Sequence, residues 1–119
     1  VLARFKGELE ESLSLIIAEP RSAGSRLREM LMASYRINQA RFIDQQRMQE
    51  MVCAAMEESW DAILGHIERY DALIGKVVAE GVASGEFRPV DPQAATQCIR
   101  TAMIRFQHPL LMAQCARIP

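Results

Sequence analysis

The sequence predicts an all-α domain, an antiparallel bundle of five to six helices. Three observations carry this. Apolar residues recur in steps of three and four through nearly the whole chain, which places them on single helix faces. No stretch alternates with period two, and no hairpin dipeptide occurs. The clearest break, Ser84 to Pro92, holds a glycine stop, then an aspartate cap and a proline suited to a first helical position.

Residues 1–18 form the first predicted helix. Leu2, Phe5, Leu9, Leu13, Ile16 and Ile17 make its stripe, while Glu8, Glu10 and Glu11 fall away from it. It ends at Glu19-Pro20, because the residue before proline disfavours the helical region. After a short loop at 21–24, Ser22 or Ser25 is placed to cap a second helix. Its inner face is Leu27, Met30, Leu31, Ser34 and Ile37 or Asn38, and it runs to about Phe42. A third helical piece spans 44–58, with Met48, Met51, Val52, Ala55 and Met56 in phase. That phase continues into Trp60, Ile63, Leu64 and Ile67, with a break near Ser59 allowed but not forced.

From Trp60 the stripe passes through Ile67, Ile74, Val77, Val78 and Val82 to the stop at Gly85. Asp91 and Pro92 restart a helix whose main stripe is Ala95, Cys98, Ile99, Ala102, Met103, Phe106 and Leu110. Ile104, His108 and Leu111 lie on the opposite face, with Arg100 on the same side. A helix apolar on two faces packs on two sides. The second side is expected to meet another subunit in a two-fold dimer; the alternative is a further helix of the same chain. Pro109 removes a helical hydrogen bond, so a kink is expected there.

The totals narrow the function. At 119 residues, half of them hydrophobic, the chain is read as one domain, 1–119. Its 14 Lys+Arg against 15 Asp+Glu are unlike a surface built to grip a nucleic-acid backbone. Three well-separated cysteines without C-x-x-C argue against a disulfide framework or zinc site and suit a reducing, cytoplasmic setting. No apolar run is long enough for a membrane span. The chain starts at Val1 inside a helical pattern, so it reads as part of a longer protein.

No catalytic, metal or cofactor constellation is found. The residues three before His66 and His108 are Ile63 and Arg105, not the glutamates a di-iron bundle needs. Gly75-Lys76 lacks a phosphate-loop context, and no G-x-S-x-G occurs. An enzyme is not expected. Asp71 sits inside the apolar stripe and must be paired or solvated. It is either a partner of an arginine on another helix or a polar group in a ligand cavity. Seven methionines suit either ordinary core filling or a wall that adapts to apolar ligands.

The run Ile74 to Phe87, with its Glu80-Gly81-x-x-x-Gly85-Glu86-Phe87 ending, followed by Asp91-Pro92 and an alanine-rich helix, resembles the C-terminal domain of TetR-family transcriptional regulators. His108-Pro109 and the opening Arg4-Phe5-Lys6 are similar to elements of that family. The resemblance implies a homodimer, a small lipophilic effector, and DNA contact only through an N-terminal helix-turn-helix that this chain does not contain. Residues 1–18 would be the linker helix leading from it. Candidate effector-lining residues, chosen for inward phase and mixed character, are Met30, Ser34, Met56, Trp60, Leu64, Ile67, Asp71, Cys98, Met103 and Phe106. Candidate dimer residues are Arg100, Ile104, His108 and Leu111. The alternative is a helical interaction module with a packed core and no ligand.

Overall fold

The computed structural model describes residues 2–40, 50–51, 53–54, 57–58, 60–106, 108, 111–112 and 114. Among them there is helix and turn and no strand. Among these described residues the bounded α-helices are α1 (Leu2–Ile17), α2 (Ala23–Asn38), α3 (Trp60–Ala83) and α4 (Pro92–Ala102), followed by a 3-10 turn (Ile104–Phe106). The described residues between 50 and 58 are also helical. The expected stripe positions Met48, Val52, Ala55 and Met56, and the expected break at Ser59, lie outside the described residues.

Helix α3 is the centre. It packs against α1, α2 and α4, and α1 also packs against α2. The core is built from Leu9, Leu13, Ile16 and Ile17 of α1, Ala23 and Met30 of α2, and Tyr70, Ile74, Val77 and Val78 of α3. These are the three- and four-step stripes of the sequence turned toward one another. Helix α4 approaches α3 closely at Gly75, where a Cβ would stand 3.3 Å from Thr96 Oγ1.

The helix ends follow local chemistry. Ser22 caps α2 by accepting from the Ser25 N–H at 3.1 Å. Asp91 caps α4 by accepting from the Ala94 N–H at 3.2 Å, with Pro92 in the first turn. Gly85 has φ 79°, the left-handed conformation that ends α3 without a Cβ penalty.

The last helix is shorter than its periodicity predicts. The chain leaves the α-helix at Met103, whose φ is −94° and ψ 3°, and tightens into the 3-10 turn. This is upstream of Pro109. The turn places the Phe106 ring edge-on to Tyr35 of α2, with centroids 5.4 Å apart and planes at 87°. Helical hydrogen bonding resumes locally, with the Met112 N–H donating to the His108 carbonyl at 2.9 Å.

Candidate functional site

The Gly81 to Phe87 turn is a joint between three segments. The Phe87 ring lies on Gly81, where an added Cβ would overlap the ring and come 2.9 Å from its Cγ. The Phe87 N–H donates to the Gly81 carbonyl at 2.9 Å. This folds the chain back over the end of α3 and carries Glu86 to the start of α2. There the Glu86 carboxylate accepts from the Ala23 N–H at 3.0 Å and from the Gly24 N–H. The first N–H groups of a helix lack partners inside the helix, and a carboxylate also suits their partial positive charge. Ser22 serves the next donor, and its carbonyl accepts from the Arg26 N–H at 3.0 Å.

Arg26 fastens the other end of the joint. Its guanidinium donates to the Ile17 carbonyl at 3.0 Å, to the Arg21 carbonyl at 3.0 Å and to Glu80 at 2.6 Å. The last carbonyl of α1, the loop carbonyl of Arg21 and the last turns of α3 are therefore bound to a single side chain in the first turn of α2.

Further along α1, Glu10 is half-buried rather than turned to solvent as its phase suggests. It accepts from Arg69 Nε and lies 3.4 Å from His66 Nδ1, both on α3. Because α1 packs on both α2 and α3, its contact surface is wider than the apolar stripe.

Between α2 and α3 the interior is partly polar. Met30, Ser34 and Asn38, four residues apart, are all buried, as are His66 and Tyr70. The Ser34 hydroxyl donates to the Met30 carbonyl at 2.8 Å, and the Tyr70 hydroxyl donates to Ser34 Oγ at 3.4 Å.

Of the residues expected to line an effector site, Met30 and Ser34 are fully buried. Ile67, Asp71, Met103 and Phe106 are half-buried. Trp60 and Leu64 are 53 % and 40 % exposed, and Cys98 is exposed. The inward phase expected of these three is not what the chain adopts. For Cys98 the reason is rotational: α4 turns Ala95, Thr96 and Ile99 inward, and Cys98 lies roughly 200° from Thr96 at about 100° per residue. Met56 lies outside the described residues.

Asp71 has the arginine partner its position requires. Arg100 Nε donates to both carboxylate oxygens, at 3.0 and 3.1 Å, joining α3 to α4. Arg100, expected at a dimer face, is thus held within the chain. Of the other three, Ile104 is 43 % exposed, and His108 and Leu111 are half-buried.

The Glu86 bridge, the Arg26 clamp and the Glu10–His66–Arg69 group were not anticipated from sequence. The one local signal was the glycine spacing at Gly81 and Gly85. Burial, together with the Glu57 charge, pushes the Cys53 thiol above its ordinary value. Among the described residues no group of three or more His, Cys, Asp or Glu is placed to hold a metal ion, and no helix is long and apolar enough to cross a membrane.

A family model described as a tetracyclin repressor-like C-terminal domain matches residues 23–118. No curated protein and no solved structure matches the chain.

Proposed function

Because this chain belongs to the tetracycline repressor-like C-terminal domain family over residues 23–118, we propose that it is the effector-sensing and homodimerising part of a transcriptional regulator. The effector is a small lipophilic molecule, and its binding alters operator contact made by DNA-reading helices outside this chain.

The observation that carries the mechanism is the fastening of α1 to the sensor helices. Arg26 holds the end of α1, and Glu10 holds its middle to His66 and Arg69 on α3. A ligand that moves α2 against α3 must therefore move α1 or break these bonds. Residues 1–18 then act as the lever toward the DNA-reading part. The ligand has to bind the two arrangements with different affinity, or it shifts nothing. A difference of ~1–3 kcal/mol gives a useful switch.

Met30, Ser34, Ile67, Met103 and Phe106 are the lining set that burial supports best. Asp71 positions α4 through Arg100 and contributes to the site indirectly. Ile104, His108 and Leu111 form the dimer face.

A second reading has its own support. Trp60, Leu64 and Ile104 are large apolar side chains left exposed, which suits an interaction module with a closed core. Two experiments separate the readings. A thermal-shift screen with lipophilic compounds raises the midpoint of a sensor by mass action; a screen with no response favours the interaction module. Light scattering on Ile104→Glu gives half the wild-type mass if that face closes the dimer. An unchanged mass moves the dimer contact elsewhere.

A further inference from the structure

We propose that the buried polar face of Ser34, Asn38 and Tyr70 receives a hydrogen-bond donor, a neutral hydroxyl or N–H, carried by an otherwise apolar effector. The proposal rests on the sensing role and adds the chemistry of what is sensed.

Asn38 carries the argument. It is 3 % exposed, and its Oδ1 has no hydrogen-bond partner among the described residues. Native interiors pair nearly all such atoms, because an unmet buried acceptor costs free energy. Ser34, one turn earlier on the same stripe, spends its own proton on the Met30 carbonyl at 2.8 Å. The Tyr70 hydroxyl donates to Ser34 Oγ at the long distance of 3.4 Å. The stripe therefore offers an unmet acceptor at Asn38, one turn beyond the Ser34 hydroxyl.

The surroundings define the rest of the ligand. Met30 precedes Ser34 on the stripe, and the buried α3 face opposite carries Ile63, Tyr70 and Ile74 together with His66, which meets Glu10 of α1. These suit an apolar body with no formal charge, since an unpaired charge is costly in such a place.

Three probes of similar size test this on the 119-residue chain. Octan-1-ol donates and accepts, 1-methoxyheptane only accepts, and octane does neither. Affinities are read from the concentration dependence of the thermal midpoint, for wild type and Asn38→Leu. Wild type should bind octan-1-ol about tenfold more tightly than the ether, as expected for meeting a buried acceptor. Asn38→Leu should bind the two alike. It should also stay folded with an equal or higher midpoint, because an apolar group of similar size replaces an unmet polar one.

Equal binding of alcohol and ether by wild type overturns the proposal. So does an alcohol preference that survives in Asn38→Leu, or a midpoint that falls in that variant, which would show the amide to be paired within the protein. If none of the three probes binds wild type, this site and its ligand chemistry fail, while the sensing role is decided by the wider lipophilic screen. If they bind without discrimination, only the donor specificity fails.

Discussion

Replacing Gly81 by alanine tests the joint most sharply, because two effects of opposite sign compete there. In an exposed helix interior alanine is worth about 1 kcal/mol more than glycine. At Gly81 the new Cβ falls inside the space of the Phe87 ring, 2.9 Å from its Cγ and closer to the ring edge. Relieving that overlap requires the ring, and the Phe87 backbone bonded to the Gly81 carbonyl, to move. Overpacking of this kind costs ~1–3 kcal/mol. Moving Phe87 also draws Glu86 away from the Ala23 and Gly24 N–H groups, and losing a cap costs about 1 kcal/mol. The steric and capping losses exceed the propensity gain, leaving a net destabilisation of about 2 kcal/mol. At roughly 2.1 cal/mol/K of unfolding entropy per residue over 119 residues, that lowers the midpoint by about 8 °C. Calorimetry on Gly81→Ala, Phe87→Ala and the double variant gives the full cycle. With the ring removed, alanine at 81 should recover its advantage of up to about 1 kcal/mol. A Gly81→Ala chain at least as stable as wild type would refute the reasoning.

Three further outcomes follow from the same geometry. Glu86→Gln keeps the shape and removes the charge, so urea titration should show a loss of about 1 kcal/mol that shrinks in high salt. Arg26→Met abandons two backbone carbonyls and Glu80 and should cost about 2 kcal/mol, with faster amide exchange at the end of α1 and the start of α2. In timed alkylation read by mass spectrometry at pH 8, exposed Cys98 should label before Cys53, because burial and Glu57 hold the Cys53 thiol protonated to higher pH. The shift bears on stability with a definite sign: a thiol value raised in the folded state contributes stability that is lost once pH rises above the ordinary value of 9.0.

What the sequence made legible was local. The buried stripe of α1, the Asp91 cap and the left-handed Gly85 depend on a few neighbouring residues, and each is where the periodicity and cap chemistry place it; of the two serines offered as a cap for α2, Ser22 takes the role. The need for a partner at Asp71 was also legible, since a carboxylate in an apolar stripe cannot stay unmet; that Arg100 supplies it was not. Contacts across long stretches of chain were hidden. Glu86 reads as an exposed turn residue until α2 arrives, and Glu10 reads as solvent-facing until α3 packs on its flank. The early end of α4 was hidden for a similar reason. Its periodicity continues to Leu110, but the chain turns at Met103 where Phe106 meets Tyr35. At the candidate site, phase alone picked Met30 and Ser34 correctly as interior. It misjudged Trp60 and Cys98, because a stripe does not say which of its edges another helix covers.

The central claim is that the folded domain holds a specific site for a small lipophilic effector. The most direct test is the unfolding free energy of the chain against the concentration of the best compound from a lipophilic screen. The account predicts a rise that approaches about 1.4 kcal/mol for each tenfold increase in ligand above its Kd, as one site on the native state requires. A stability that stays flat across every compound and concentration would contradict it.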